Sequence, residues 1–139
     1  MADKVVRLLP QVTPENQHFW QGGAEGELRF LRCDDCQQWI HPPQPLCPAC
    51  LSRNCSAAAV SGRARVHTFT VNHQPWIPGF DPPYVVAIVA IEEDESVRLT
   101  TNIVGCEIEA VSIGMPVKVC FEELEEGVFL PLFEAAEPS

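Results

Sequence analysis

The sequence predicts a mainly β protein in which a short N-terminal helix and a small cysteine-rich module precede a five-stranded barrel. Three observations predict this order. Two Cys-x-x-Cys pairs lie between residues 33 and 50, five segments typical of β-strands follow residue 60, and acidic clusters separate two pairs of those segments. The 139 residues suffice for one domain with a small attached module, and a hydrophobic content of 46% is enough for a buried core.

Residues 1–26 are predicted to form an N-terminal helical segment. The Thr-Pro-Glu run at 13–15 is typical of a helix start, because a hydroxyl residue, a proline and an acid are each favoured there. A Gly-Gly pair ends this helix, which then covers residues 14–21 and carries Phe19 and Trp20. Two interpretations stay open: both aromatic side chains pack on this chain, or the helix docks on a partner, since so short a helix is marginally stable alone.

Residues 27–56 are predicted to form a zinc ribbon. The cysteines follow the spacing C-x2-C-x10-C-x2-C, in which each pair directs two thiolates at one ion and both pairs complete a tetrahedral sulfur site. Because the protein fills all four positions, the metal is expected to be structural, and redox-inert zinc is favoured over iron. The ten-residue spacer indicates a compact, rubredoxin-like ribbon. The predicted ligands are Cys33, Cys36, Cys47 and Cys50.

Two residues between the cysteine pairs have predicted supporting roles. With four thiolates already present, His41 is interpreted as a polar loop residue and not as a ligand. Trp39 is expected to cover the small apolar side of the ribbon.

Residues 57–139 are predicted to form an OB-fold barrel, because five short strands with a break between the third and fourth are typical of that fold. An open sandwich is the main alternative. The YVVAIVAI segment predicts a strand buried on both faces, and the break at 105–115 has room for one helical turn. The predicted strands cover residues 62–73, 84–91, 96–104, 116–122 and 128–133.

The charge distribution bears on possible partners. The net charge of −10 divides into +1 for residues 1–70 and −11 for residues 71–139. An acidic barrel repels phosphate backbones, so we expect no nucleic-acid binding, although a single-stranded nucleic-acid binder is the alternative function because many OB-folds have that role. No apolar run is long enough for a signal peptide or a membrane span, which predicts a cytoplasmic protein with reduced thiols and no membrane association.

The sequence contains no recognisable catalytic grouping. Cys55, Cys106 and Cys120 lack a histidine and an acid nearby in sequence, and G-x-S-x-G, P-loop and H-E-x-x-H motifs are missing. Cys120 is interpreted as a small buried or half-buried strand residue. An independent hydrolase or reductase is therefore disfavoured.

The order of the segments resembles a known family. The run FWQGGAEGEL, RFLRCDDCQQWIHPPQPLCPAC, SGRARVHTFTVNH, PPYVVAIVAI, NIVG, GMPVKVCFEEL and PLF is similar, over nearly the whole chain, to the zinc-ribbon plus OB-fold proteins of domain of unknown function 35. One departure is Gln37, where the family often has glycine. Glycine eases a left-handed backbone, so Gln37 is expected to add some strain there.

The resemblance implies a non-catalytic accessory subunit. Such proteins associate with thiolase-like enzymes, including lipid-transfer-protein-type aldolases of steroid side-chain degradation and acyl-CoA condensing enzymes. They are expected to stabilise that partner and to help position its acyl-CoA substrate in lipid metabolism. Two copies on a partner dimer are implied by the same resemblance.

Residues that contact the partner or CoA are predicted from their chemistry. Arg63 and Arg65 share one strand face with His67, which makes them phosphate-contact candidates, with Arg98 and Lys118 as lesser ones. A solvated face that balances nearby acids is the alternative. The proline-rich loop QPWIPGFDPP carries two aromatic residues that either contact a partner or close one end of the barrel. The predicted contact residues are Arg63, Arg65, His73, Trp76, Phe80 and Tyr84 for CoA or partner, and Phe19 and Trp20 for the partner.

Overall fold

A computed structural model describes residues 9–75 and 81–136. One short helix, eight strands and two 3-10 turns make up this part of the chain. Within it, no helix is both long and apolar enough to cross a membrane. The elements are α1 (Gln17–Gln21), a 3-10 turn (Gly22–Glu25), β1 (Leu28–Cys33), β2 (Trp39–Ile40), β3 (Cys55–Val60), β4 (Arg63–Asn72), β5 (Tyr84–Ile91), β6 (Asp94–Val104), a 3-10 turn (Ile108–Ala110), β7 (Pro116–Glu125) and β8 (Val128–Ala135).

The helix α1 begins three residues later than predicted. The carbonyl of Thr13 accepts a hydrogen bond from the Gln17 N–H at 2.8 Å, but residues 14–16 form a turn. The side chain of Asn16 fixes that turn, because its Oδ1 accepts a hydrogen bond from the Thr13 N–H at 2.7 Å. The α-helix ends at Gln21 as expected, and the Gly-Gly pair continues as a 3-10 turn.

The ribbon sheet has three antiparallel strands in the order β2-β1-β3. Six residue pairs join β1 to β3, from Leu28 opposite Val60 to Cys33 opposite Cys55. The third strand therefore runs four residues past the predicted boundary at 56. The chain enters the barrel after a turn at Gly62, whose φ of 85° favours glycine.

The remaining strands close into a barrel in the order β4-β5-β6-β8-β7, which confirms the OB-fold prediction over the open sandwich. Neighbouring strands are antiparallel except β6 and β8, whose short parallel pairing joins Ile103 to Phe133. The predicted helical turn in the break is the 3-10 turn before β7. Strand β5 matches its predicted bounds, whereas β6, β7 and β8 are each two or three residues longer than predicted.

One hydrophobic core joins the N-terminal segment, the ribbon and the barrel. Phe19 from α1 and Phe30 from β1 lie in the same cluster as the inward residues of the barrel, and Phe30 is fully buried. Trp39 packs against this shared core and not against the ribbon's own small cluster of Cys33, Ile40 and Cys47, which corrects the predicted role. The ribbon is too thin to bury an indole, so that ring packs towards the barrel core.

Burial of β5 also differs from the prediction. Val85, Ala87, Val89 and Ile91 are buried, but the alternate residues are only half-buried. Among the described residues the barrel supplies a core on one side of the strand, so the second apolar face is only half-buried.

Candidate metal centre and ligand cleft

Each Cys-x-x-Cys pair lies in a tight backbone turn called a knuckle. Two equivalent knuckles position the four cysteines. In the first, the Gln37 N–H donates to the carbonyl of Cys33 at 3.0 Å, and in the second the Leu51 N–H donates to the carbonyl of Cys47 at 2.9 Å. Each knuckle also closes with a reverse hydrogen bond, from Cys33 N–H to Gln38 and from Cys47 N–H to Ser52, both at 2.9 Å. The two C-x2-C repeats of the sequence therefore fold into two turns with the same backbone hydrogen bonds.

The four sulfur atoms converge on one point. All four Sγ atoms lie within 4.8 Å of one another; Cys33 and Cys50 are 3.5 Å apart, and Cys36 and Cys47 are 3.6 Å apart. A tetrahedral zinc ion with Zn–S bonds of about 2.3 Å separates its sulfur ligands by about 3.8 Å. The residues present thus fit a closed tetrahedral sulfur site, with no position left for water or substrate.

Backbone amides favour the thiolate form in two of the four ligands, Cys33 and Cys47, whereas the pKa values of Cys36 and Cys50 are raised, because burial and the neighbouring thiols outweigh their own backbone hydrogen bonds. The Cys36 N–H donates to Cys33 Sγ at 3.4 Å, and this hydrogen bond is the largest of several that together lower the pKa of the Cys33 thiol to about 6. In the second knuckle, backbone hydrogen bonds from Cys50 and Ala49 lower the pKa of Cys47. Both ligands are buried, which restricts exchange with solvent.

The residue after each cysteine pair has a left-handed backbone. Gln37 has a φ of 69°, which confirms the predicted conformation, and Leu51 has a φ of 64° at the equivalent position. The left-handed conformation of Leu51 was not predicted, although the repeated C-x2-C spacing points to it. Both side chains are exposed, so the conformation is imposed by the knuckle.

His41 is part of an aromatic cluster and not the polar loop residue that the sequence suggested. Its ring stacks on Phe19 at a centroid distance of 5.2 Å and meets Phe30 edge-on at 4.7 Å. Its Nδ1 atom and the Nε2 atom of His18 are buried without a hydrogen-bond partner among the described residues. Burial, with a smaller contribution from His18, lowers the pKa of His41 to about 4. No local sequence pattern marks this cluster, because its members come from three separate segments.

We expect the stability of the chain to fall with acidification because of His41. The folded-state pKa of about 4 lies below the usual value of 6.5, so the unfolded chain binds more protons between these values. The contribution of His41 to the free energy of unfolding is complete above pH 6.5 and is lost as the pH falls towards 4. This loss is at most about 3 kcal/mol before solvent screening. Replacing His41→Phe, which keeps the aromatic packing, should flatten this dependence in urea unfolding at pH 7.5, 6.5 and 5.5 with excess zinc.

The exposed His73 provides the matched control for this pH dependence. A His73→Gln variant should follow the wild-type curve over the whole range. If the His41→Phe and wild-type curves instead stay parallel, His41 does not account for the acid sensitivity.

A second feature is a cationic cleft of about 340 Å³ lined by residues from β4 to β7. Arg65 on β4, Ala90 on β5 and Arg98 on β6 occupy consecutive places in one row across the sheet, and all three line the cleft. Arg65 Nη1 donates to the carbonyl of Gly114 at 3.0 Å, which holds that side chain at the rim. Arg63 and His67 also line the cleft, as do two acids, Glu92 and Glu95.

Within the described residues, the arginines of the cleft form no ion pair. The ion pairs found there join Arg29 to Glu25 and Glu27, and Lys118 to Glu134 at 3.8 Å. Three guanidinium groups thus outnumber two carboxylates in the cleft. Lys118 lies opposite Arg63 in the β4–β7 pairing but does not line the cleft.

The other predicted contact residues are dispersed. His73 is exposed after the end of β4, and Tyr84 is half-buried at the start of β5. Trp76 and Phe80 lie outside the described residues. Phe19 is only 6% exposed and belongs to the core of this chain, which agrees with the interpretation that the helix packs on this chain, while Trp20 is half-buried against the same core.

The fold and the metal centre define the class as a zinc ribbon joined to an OB-fold. Family models agree with this class: residues 20–55 match the rubredoxin-like zinc ribbon domain of ChsH2, and residues 57–122 match its C-terminal OB-fold domain. The four cysteines are thus a structural zinc site.

Three curated relatives cover much of the chain. A probable enoyl-CoA hydratase alpha subunit from Thermomonospora curvata is 36% identical over 97% of this chain and 42% of its own length. The 3-oxo-4,17-pregnadiene-20-carboxyl-CoA hydratase alpha subunit of Mycobacterium tuberculosis is 34% identical over 86% of this chain and 37% of its own. A DUF35 domain-containing scaffold protein of Methanocaldococcus jannaschii is 35% identical over 69% of this chain and 68% of its own. The chain therefore spans about two fifths of the two hydratase subunits.

Among solved structures, the Ltp2-ChsH2(DUF35) aldolase contains a similar chain, with a TM-score of 0.82 and 34% identity over 91% of this chain and 98% of that one. This chain belongs to the DUF35 family, which confirms the resemblance in its sequence.

Proposed function

We propose that this protein is a non-catalytic accessory subunit of a thiolase-like, lipid-transfer-type aldolase or acyltransferase. The observation that carries the proposal is the match, over 91% of the chain, to the ChsH2(DUF35) component of an aldolase. The name of the mycobacterial relative supports a substrate related to steroid side-chain degradation. The closed sulfur site fits this role, since its metal has no free coordination position for chemistry.

The cationic cleft supports a contact with the CoA part of the substrate. CoA carries phosphate groups, and arginine is suited to them because its planar guanidinium group donates two parallel hydrogen bonds. Arg65 and Arg98 line the same cleft, with Ala90 between them in one row of the sheet, on a chain whose barrel half is otherwise acidic. The cleft therefore concentrates positive charge where the rest of the surface repels an anion.

We expect Arg65→Ala and Arg98→Ala to weaken substrate binding by the complex. Hydrogen bonds to charged groups contribute about 1.5–3 kcal/mol, so each variant should raise KM for the acyl-CoA about tenfold or more, with kcat nearly unchanged. Steady-state kinetics of the purified complex measures both constants. Arg53→Ala, an exposed arginine on the ribbon, is the control and should leave both constants unchanged.

A KM that stays unchanged in both cleft variants would remove the phosphate contact from the proposal. The accessory role itself would stand, because it rests on assembly with the partner.

Assembly is tested directly by tagging the chain in its native host and identifying the proteins that co-purify. A thiolase-like or lipid-transfer-type chain at near-equal stoichiometry is the expected result. Two copies of each chain, measured by native mass spectrometry, would agree with two accessory subunits on a partner dimer. Recovery of nucleic acid, or of no stable partner, would contradict the proposed function.

A further inference from the structure

The outer side of β5 carries an apolar column that the described residues only half bury. Its outward residues Val86 and Ile88 are half-buried, although they belong to a strand that is apolar throughout. Antiparallel barrels usually alternate apolar residues inside with polar residues outside, whereas strands that are apolar on both faces are usually covered on both. The sequence therefore suits a strand with a cover on each side, and the described residues supply a full cover on one of them.

The neighbouring strands extend this column into a continuous uncharged surface. The register places threonine and asparagine side chains beside each apolar residue of β5. None of the residues in this surface, which we name the β5 face, carries a charge. The β5 face consists of Thr68, Thr70, Tyr84, Val86, Ile88, Thr100 and Asn102.

The composition of the β5 face contrasts with the rest of the chain, whose net charge is −10. Charged residues are depleted at the centres of protein interfaces and enriched at their margins. The β5 face has this arrangement, because the next row along the same strands is Arg65–Ala90–Arg98. An uncharged centre thus continues directly into the cationic cleft.

Area and charge identify the occupant. Three strands spaced by about 4.8 Å and five residues of about 3.3 Å each give a face of roughly 250 Å². A stable interface covers about 800 Å² on each partner, so the occupant must also reach the neighbouring surface. A second copy of this chain would bring another ten negative charges towards a small contact, which opposes self-association. An enzyme that carries an anionic CoA ester at the margin of the contact suits both the uncharged centre and the arginine row.

We propose that the β5 face is the surface by which this chain docks on the thiolase-like enzyme, with Arg65 and Arg98 at the margin next to the substrate. This inference rests on the proposed function, since it assigns a surface to the partner named there. Docking on this face covers the second side of β5 and places the cationic cleft at the seam between the two proteins.

The test quantifies the thiolase-like chain recovered from the native host with tagged wild-type protein, Ile88→Lys, Thr70→Lys and Ala59→Lys. A lysine at residue 88 or 70 puts a charge within the β5 face, and Thr70 is exposed, so that variant should fold even if Ile88→Lys does not. Ala59 is an exposed strand residue of the ribbon and serves as the matched control. Zinc content and thermal unfolding of each purified variant establish that it is folded.

We expect folded variants at residues 88 and 70 to recover at least tenfold less of the enzyme, and Ala59→Lys to recover as much as wild type. Full recovery with a folded Thr70→Lys or Ile88→Lys variant would overturn the assigned surface and leave the proposed function intact. Failure of wild-type protein to recover any thiolase-like chain would overturn both. A second, differently tagged copy of this chain that is recovered by wild type and lost with Thr70→Lys would assign the β5 face to self-association and contradict the proposal.

Discussion

Replacing Cys47→Ser is expected to abolish zinc binding and to unfold the ribbon. Cys47 is fully buried, and its Sγ lies 3.6 Å from that of Cys36. A serine hydroxyl is a poor replacement for a thiolate ligand, and structural zinc contributes about 10–16 kcal/mol of apparent binding energy in small ribbons and fingers. The variant should hold less than about a tenth of the one zinc ion per chain expected for wild type after dialysis against a chelator. Elemental analysis of the purified chain measures this ratio.

Cys55→Ser is the matched control for the zinc site. Cys55 lies opposite Cys33 in the β1–β3 pairing, close to the metal centre, yet it is not among the four converging sulfur atoms. This variant should retain its zinc. Loss of zinc from Cys55→Ser, or retention by Cys47→Ser, would contradict the assigned ligand set.

The second large effect is expected from Phe30→Ala, which should destabilise the whole chain by about 3–5 kcal/mol. Phe30 is fully buried on β1, contacts Phe19 at a centroid distance of 6.0 Å and His41 at 4.7 Å, and shares its cluster with the barrel core. A cavity at this position removes packing from the helix, the ribbon and the barrel together. Since domains of this size are stable by about 5–15 kcal/mol, the change is a large fraction of the total. Chemical unfolding of the zinc-loaded protein measures it.

Ile113→Ala provides the surface control, because Ile113 is 69% exposed and its truncation should change stability by less than about 0.5 kcal/mol. In Phe30→Ala, fluorescence and far-UV circular dichroism should report one shifted transition. A barrel transition that stays at its wild-type midpoint would show instead that the ribbon and barrel have separate cores.

Structural features that depend on residues close together in sequence were predicted correctly. The spacing of Cys33, Cys36, Cys47 and Cys50 was enough to predict the zinc ligands, because two short loops bring each pair together without help from the rest of the fold. Val97, Leu99, Thr101 and Ile103 form the buried face of β6 for a similar reason, since side chains along a strand alternate every two residues.

The sequence by itself therefore determined the five barrel strands, the zinc ligands and the OB-fold class, all of which depend on local spacing and period. Only the tertiary structure decided that His41 joins Phe19 and Phe30, that Arg65 and Arg98 line one cleft, and that the described residues bury one face of β5 and only half bury the other. These features bring together residues that are tens of positions apart, and the register of paired strands sets their contacts. An apolar strand indicates burial on two faces, but sequence does not state whether the cover comes from the same chain or from a partner.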